Sequence, residues 1–350
     1  MGQAQCPQRY ECVREHQVGN RANMLYLTSG NSLVFQAYDS TTQTTLLNSV
    51  PTDTWSHIVV TYDGAVLSGY LNGVSKLTVS EPLSIADGSE SLYIGSRAGS
   101  SQFFNGGMDQ VEIYQKAFSN TEVINNYLTG ALKTNLTFDQ NVTTTAAGAV
   151  LDSSEGNNPG TLNQVNGSAL PVWSADGKVG GAFSFDGNGA GVTASALNFI
   201  RKDGTYTVSA WVKYEGLGVT TGSTAVVFQN ALEGNDRNGM SVSDASDNTK
   251  GLLRFGYYPG GSWVGKSGLI TKGAWAHVVG VNDGGNLALY IDGVAQTGTS
   301  GPYVSVDANT LYIGRNSISS HNYDPFKGAL DNLQFYNVAV TAVQAPSDVR

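Results

Sequence analysis

The stretch from Trp275 to Gly293 reads WAHVVGVNDGGNLALYIDG, and the stretch from Trp55 to Gly73, WSHIVVTYDGAVLSGYLNG, aligns with it without a gap. Each copy contains two apolar runs separated by an Asp-Gly pair, and each copy ends in Asn-Gly or Asp-Gly. Glycine tolerates the positive φ that a tight turn requires, so these pairs predict turns between strands. The stretch therefore predicts a meander of β-strands that the chain contains twice.

Further motifs repeat in the same order. Residues 91–97, SLYIGSR, match residues 310–316, TLYIGRN, and FNGGMDQVEIY at 104–114 matches FKGALDNLQFY at 326–336. After the first copy, SNTE is a capping box that predicts a short helix ending near Gly130. In the first half, strand character begins at Leu33, and residues 1–30 show no clear periodicity.

Residues 132–230 have no counterpart in the first half of the chain. The segment GGAFSFDGNGAGV at 180–192 predicts a strand, a glycine-rich turn and a second strand. The segment TYTVSAWVKY at 205–214 alternates apolar and polar residues and predicts another strand.

Composition indicates a turn-rich, all-β protein with a neutral polar surface, since 43 of the 350 residues are glycine and only 13% are charged. A net charge of -9 without basic clusters argues against nucleic-acid binding. No apolar stretch is long enough for membrane insertion, and the N-terminus lacks the apolar core of a signal peptide. We interpret the acidic balance as favouring solubility, with calcium binding as a secondary use. Cys6 and Cys12 can form a short-range disulfide or remain free thiols.

The motif order, from F-D-G and T-V-S-A-W-V to L-Y-I-G-R and F-x-G-x-x-D, resembles the laminin-G-like, concanavalin A-like lectin/glucanase superfamily in its bacterial form. The resemblance implies an antiparallel jelly-roll β-sandwich in tandem repeats, with two sheets packed face to face. We expect a complete repeat at 132–344 and a partial repeat at 1–131 that lacks its early strands. A half sandwich exposes inner faces and unpaired edges, so we expect a fragment of a longer protein with further domains, or a gene model started at an internal methionine.

The resemblance also implies a calcium ligand at Asp331, which occupies the same place in the second repeat as Asp109 does in the first. An early loop would supply the other oxygen ligands of Ca²⁺. That loop contributes Asp152, Ser154 and Asn157. The alternative is that these aspartates cap turns by accepting hydrogen bonds from backbone N–H groups. Asp109 is the weaker candidate because its partner loop is missing.

Catalytic residues are not expected. Asp109 and Glu112 resemble part of the acidic motif of jelly-roll glucanases, which need paired carboxylates. The first glutamate of that motif would fall at Gly107, and Glu112 is replaced by Gln334 in the second repeat. His57 and His277 can be general bases or structural residues, and their position in an apolar strand favours a structural role.

Loop aromatic residues of the second repeat predict a ligand site, because sugar faces stack on aromatic rings and neutral polar groups bond the hydroxyls. The candidate ligand-binding residues are Trp263, Tyr323, Tyr258, Asn235, Asp236, Arg237 and Asn322. The alternative is that some of these rings only cover the edge of the sandwich.

These observations favour a non-catalytic binding and adhesion module, extracellular or at the cell surface, that recognises glycans or an extracellular protein ligand with Ca²⁺ as a cofactor. The alternative is a purely architectural spacer repeat. A glycoside hydrolase or polysaccharide lyase is the least favoured interpretation, because the paired carboxylates are missing.

Overall fold

The computed structural model describes residues 10–15, 23–37, 43–80, 83, 91–97, 101–165, 167–201, 204–219, 223–231, 237–258, 263–299, 310–317, 323–341 and 344, with the backbone alone at 10–15, 231, 237 and 258. The chain divides into two compact units, Met1–Gly130 and Ala131–Arg350. This division lies next to the predicted one at residue 131.

The described residues of the first unit form eight strands, which the helix α1 follows. Their bounds are β1 (Tyr10–Glu15), β2 (Met24–Leu27), β3 (Leu33–Gln36), β4 (Gln43–Leu47), β5 (Ile58–Tyr62), β6 (Val66–Leu71), β7 (Val74–Ser80), β8 (Leu92–Ile94) and α1 (Asn120–Ala131). One antiparallel sheet has the order β4-β3-β2-β1-β8 and the other has the order β5-β6-β7. The helix begins as predicted, because Ser119 N–H donates to Glu122 Oε2 at 2.9 Å and Glu122 N–H donates to Ser119 Oγ at 3.3 Å.

Strands β1 and β2 correct the prediction that strand character begins at Leu33. Both lie within residues 1–30, where the sequence shows no periodicity. Strand β2 has only four residues, and the pairing of β1 with β2 contains a bulge between Glu11 and Val13. A bulge interrupts the two-residue alternation on which recognition of a strand depends.

Residues 104–114 of the first unit form no strand, although the matching residues of the second unit do. Val111 and Ile113 are 43% and 69% exposed, whereas the matching Leu333 and Phe335 are 1% and 0% exposed. The matching strand of the second unit, β24, pairs with β9, β12 and β14. The described part of the first repeat contains no counterpart of these three strands. Val111 and Ile113 are therefore exposed, whereas their counterparts in the second unit belong to the core.

The described residues of the second unit form sixteen strands. Their bounds are β9 (Leu132–Leu136), β10 (Thr161–Gln164), β11 (Val172–Ser174), β12 (Ala182–Asp186), β13 (Ala190–Ser195), β14 (Thr205–Leu217), β15 (Ala225–Ala231), β16 (Arg237–Asp244), β17 (Lys250–Tyr258), β18 (Val264–Thr271), β19 (Trp275–Asp283), β20 (Asn286–Ile291), β21 (Val294–Ala295), β22 (Thr297–Gly298), β23 (Thr310–Ile313) and β24 (Phe326–Tyr336).

Two antiparallel sheets enclose the core of the second unit. One, which we call the β23 sheet, has the order β10-β13-β23-β15-β16-β17-β18-β22. The other, the β24 sheet, has the order β11-β12-β24-β14-β19-β20-β21, and β9 also pairs with β24. Aromatic pairs bridge the sheets, with the rings of Phe228 and Phe335 5.1 Å apart and those of Tyr206 and Phe255 6.1 Å apart. The predicted all-β, antiparallel jelly-roll sandwich is confirmed.

In both units, the histidine of the repeated W-x-H motif forms hydrogen bonds with the turn residue at the end of the predicted meander. In the second unit, His277 N–H donates to Asp292 Oδ1 at 2.9 Å, and Asp292 N–H donates to the His277 carbonyl at 2.8 Å. His57 and Asn72 make the same two bonds in the first unit. Both turn residues have positive φ, 49° and 52°, as a tight hairpin turn with the following glycine requires.

Candidate functional site

A row of paired residues crosses the β23 sheet on the face opposite the core, which we call the outer face. Core side chains such as Phe228, Met240 and Phe255 alternate with the residues of this row, because successive side chains of a strand point to opposite faces. Neighbouring strands place its members side by side in the order Thr161, Thr193, Tyr312, Gln229, Gly239, Gly256 and Gly265. This row defines the candidate site.

Arg315 lies just after β23 and beside Tyr312, the third residue of the row. Its guanidinium carbon lies 5.4 Å from the ring centroid of Tyr312 and 5.7 Å from that of Tyr323. Its Nε donates to Asn163 Oδ1 at 2.9 Å, and its Nη1 donates to the Asn316 carbonyl at 2.9 Å. Two aromatic rings and two neutral acceptors therefore hold the cation.

Among the described residues, Arg315 is a buried cation with no carboxylate in ion-pair contact. The residue is only 8% exposed. Burial lowers the pKa of the guanidinium, which nevertheless stays protonated at physiological pH because its ordinary value is so high. An unpaired buried cation is costly, so this site attracts negative charge.

Gly191 makes room for Arg315. A Cβ atom at Gly191 would lie 2.8 Å from Nε and 3.0 Å from Cδ and Cγ of Arg315. Strand β13, which contains Gly191, separates β23 from β10. The arginine side chain therefore crosses one strand to reach Asn163 on the next. Asn163 is oriented for this contact by its Nδ2 group, which donates to Thr193 Oγ1 at 3.0 Å.

Gln229 is the neighbour of Tyr312 in the row. It is 2% exposed, and neither its Nε2 nor its Oε1 atom has a hydrogen-bond partner. Most buried polar groups in folded proteins are paired, so an amide with two unpaired atoms is an exception that needs an explanation.

Trp263 lies near the Gly265 end of the row. Its Nε1 atom would be 2.8 Å from a Cβ at Gly265, so the indole lies against that glycine. The indole is half-buried, and Nε1 is buried without a partner. With strand spacings of roughly 4.8 Å, Gly265 lies about 14 Å across the sheet from Gln229. The row thus has one unpaired buried donor at its middle, at Gln229, and another near its Gly265 end, at Trp263.

The other predicted ligand residues are placed only in part. Tyr323 is half-buried beside Arg315. Arg237 and Tyr258 are direct partners in the β16–β17 ladder, two positions along from the Gly239–Gly256 pair. Asn235, Asp236 and Asn322 lie outside the described residues. The structure therefore brings Trp263, Tyr323 and the Arg237–Tyr258 pair to one sheet.

Asp331, the predicted calcium ligand, is fully buried on β24. Its Oδ2 atom accepts hydrogen bonds from the N–H groups of Lys178 and Val179, both at 2.7 Å, and its Oδ1 atom has no partner. Desolvation raises the pKa of Asp331 to about 6, and the negative charge of Asp139 adds to the shift. Asp139 Oδ1 accepts a hydrogen bond from Gly181 N–H at 2.8 Å. Two carboxylates thus border the turn at 177–181.

The predicted partner loop of Asp331 is organised around Asp152 instead. Asp152 Oδ1 accepts hydrogen bonds from the N–H groups of Asn135 and Ser154, both at 2.8 Å, and Oδ2 accepts one from Asn158 at 2.7 Å. Asn157 adopts a positive φ of 46° in the same loop. These bonds match the alternative interpretation that Asp152 caps a turn.

The histidines of the two repeats have structural contacts. His277 Nε2 lies 2.9 Å from Ser209 Oγ, and its ring centroid is 5.0 Å from that of Trp211. His57 Nε2 lies 2.7 Å from Asn126 Oδ1, and burial lowers the pKa of its imidazole. Among the described residues, no three histidine, cysteine, aspartate or glutamate side chains form a group that can hold a metal ion. No helix in that part of the chain is long and apolar enough to cross a membrane.

The fold and this sheet define a jelly-roll protein of the lectin and glucanase type. The sequence profile of the Concanavalin A-like lectin/glucanases superfamily matches residues 8–124 and 186–345. The chain therefore belongs to that superfamily, and the match to two regions confirms the predicted tandem repeats. Among curated protein sequences, none matches the chain significantly.

Several solved structures are similar to part or most of the chain. Domain 4 of AbnA, a GH43 extracellular arabinanase from Geobacillus stearothermophilus, in complex with arabinotriose, is 27% identical with a TM-score of 0.44, covering 61% of this chain and 95% of that domain. The botulinum neurotoxin serotype D binding domain is 14% identical with a TM-score of 0.41, covering 62% of this chain and 51% of its own. Trypanosoma rangeli sialidase in complex with the inhibitor DANA is 13% identical with a TM-score of 0.42, covering 96% of this chain and 52% of its own. The chain thus spans about half the length of the latter two.

Sequence reasoning missed the centre of the site. Arg315, Tyr312, Gln229, Asn163 and Gly191 were not among the predicted ligand residues. One signal was present, because Arg315 aligns with Ser96 in the first repeat, within otherwise matching L-Y-I-G motifs. Gln229 and Gly191 left no such signal, since their significance depends on which strands become neighbours.

Proposed function

We propose that the second unit is a non-catalytic, extracellular binding module that recognises glycans through the outer face of the β23 sheet. Half-buried tyrosines, hydroxyl groups and amides share this face, and together they suit the apolar faces and hydroxyl groups of sugars. The proposal applies to the second unit because β10 and β13, which frame Arg315, have no counterpart in the first repeat.

The observation that carries this proposal is Gln229. An amide with both polar atoms buried and unpaired costs about 1–3 kcal/mol of stability, and an apolar side chain of the same size would avoid the cost. Residues that weaken a fold in this way are expected where a ligand supplies the missing partners. A spacer repeat has no need of such a residue.

We further propose that Ca²⁺ binds at Asp331, with Asp139 as the second carboxylate. The unpaired Oδ1 atom of Asp331 and the nearby charge of Asp139 fit a cation with oxygen ligands. Both carboxylate oxygens of Asp152 already accept backbone hydrogen bonds. We therefore favour Asp139, rather than the loop at 152–157, as the partner of Asp331 in binding the ion. When bound, the ion would neutralise both carboxylates, and these residues would link β24 to the turn at 177–181.

A glycan array with the full chain tests the binding proposal. We expect specific glycans to bind, and we expect Tyr312→Ala to remove their binding. Tyr290→Ala is the matched control, because Tyr290 is a half-buried tyrosine of the β24 sheet. Binding to no glycan would favour a spacer, and release of reducing ends or unsaturated products from bound polysaccharides would show an enzyme.

A further inference from the structure

We propose that Arg315 binds the carboxylate of an acidic sugar, a uronic or sialic acid residue, on the outer face of the β23 sheet. This inference rests on the proposed glycan-binding function and names the chemical class of the ligand.

Within the described residues, the charge of Arg315 is not compensated by a carboxylate. Arg315 is buried, but its partners Asn163 and Asn316 are both neutral acceptors. Neutral hydrogen bonds do not replace the interaction of a buried cation with an anion. The two bonds occupy only part of the five-donor guanidinium group. No hydrogen bond within the described part of the chain uses its remaining N–H groups, which are charged donors that a ligand can engage.

The surroundings of the guanidinium group restrict its orientation. The rings of Tyr312 and Tyr323 lie 5.4 and 5.7 Å from the guanidinium carbon, and Gly191 leaves the sheet without a side chain beneath it. Rings and sheet together fix the plane of the fork, and a fixed planar fork matches the two oxygens of a carboxylate. Two oxygens of a phosphate or sulfate also fit such a fork, so the test below includes a sulfated ligand.

Two threonines lie beside Tyr312 in the row. Thr161 and Thr193 are adjacent there, and both are half-buried. Their Oγ1 atoms accept hydrogen bonds from Gly148 N–H and Asn163 Nδ2, so each hydroxyl retains its proton to donate to the sugar that carries the acid. The chain has a net charge of -9, which disfavours a densely charged polyanion and favours a ligand with one carboxylate at the site. The ligand expected from these groups is an acidic sugar within a largely neutral glycan.

Titration calorimetry of the full chain with matched ligand pairs tests the inference. The pairs are a xylo-oligosaccharide with a single glucuronate residue and its methyl ester, sialyllactose with lactose, and a sulfated with an unsulfated oligosaccharide. We expect one carboxylate-bearing ligand to bind about tenfold more tightly than its neutral partner, as a charge-assisted hydrogen bond provides. Arg315→Gln should remove this preference, so that the acidic ligand and its neutral partner bind the variant with equal affinity.

Gly191→Ala gives a second variant in case Arg315→Gln does not fold, because it displaces the guanidinium while retaining the charge. Equal affinity for acidic and neutral partners would overturn the inference and leave the glycan-binding proposal intact. Equal preference for sulfate would also overturn it, since the site would then bind anions in general. Binding of no glycan at all would overturn both proposals.

Discussion

Arg315 lies across Gly191, with its Nε atom 2.8 Å from the place where a Cβ atom would stand. The contact joins three neighbouring strands, because Gly191 belongs to β13 while Arg315 follows β23 and reaches Asn163 on β10. Gly191 does not have a positive φ, so its backbone conformation does not require glycine. Glycine is required here because a larger residue would occupy the space of the Arg315 side chain. The position of the cation therefore depends on the absence of one methyl group.

Gly191→Ala should weaken binding of the acidic ligand about tenfold or more, because a displaced guanidinium loses both its aromatic neighbours and its carboxylate contact. Calorimetry with the ligand identified above measures the effect. Gly30→Ala is the control, since a Cβ there would meet only Thr28 Oγ1, at 3.9 Å. Unchanged affinity in Gly191→Ala would show that Arg315 tolerates the methyl group or does not contact ligand.

Gln229→Met should raise the free energy of unfolding by about 1–3 kcal/mol, because it removes two buried, unpaired polar atoms and keeps the volume. Glycan affinity should fall in the same variant. Thermal and urea unfolding measure the stability. Asn230→Leu is the matched control and should destabilise, because the Asn230 amide forms hydrogen bonds with the backbone of Leu197 and Ile200. A destabilised Gln229→Met would indicate that the amide has partners in solution.

Calcium should raise the melting temperature, and the increase should be larger at pH 7 than at pH 5. The folded-state pKa of Asp331, about 6, is higher than its ordinary value of 3.8. Without calcium, this carboxyl group therefore contributes stability below about pH 4, and the contribution is lost as the pH rises through 6. Above pH 6 the carboxylate is ionised and available to the cation.

Asp331→Asn is the variant for this experiment, since an amide oxygen can still accept the hydrogen bonds from Lys178 and Val179. We expect it to abolish both the calcium response and the loss of stability between pH 4 and 6. Asp152→Asn is the control and should keep the calcium response. Identical melting temperatures in calcium and in EDTA at pH 7 would leave Asp331 as a turn cap.

Residues 131–350 should unfold in one cooperative transition when produced alone, whereas residues 1–130 should not. In the first unit, Val111, Ile113 and Trp55 are exposed, and residues 104–114 lack the strands that pair their counterparts. Too little apolar surface is buried to offset the chain entropy. Calorimetric melting of both pieces measures this, and a sharp transition in residues 1–130 would contradict it.

The sequence alone determined the repeat, the meander and its turns, the strands on either side of Asp186, the capped helix and the superfamily. These features follow from local rules, because side-chain alternation, positive φ at glycine and helix capping each involve only a few consecutive residues. Strands β1 and β2 escaped these rules because one is short and the other is bulged.

Only the tertiary structure decided the candidate site. Arg315 and Asn163 are 152 residues apart, and they meet because β13 pairs with β10 on one side and β23 on the other. The same holds for Asp331, which is 153 residues from Lys178. Whether a side chain is left buried and unpaired, as at Gln229, depends on every strand packed around it. Local sequence cannot show this, because the contacts that determine pairing and burial form between residues that are distant along the chain.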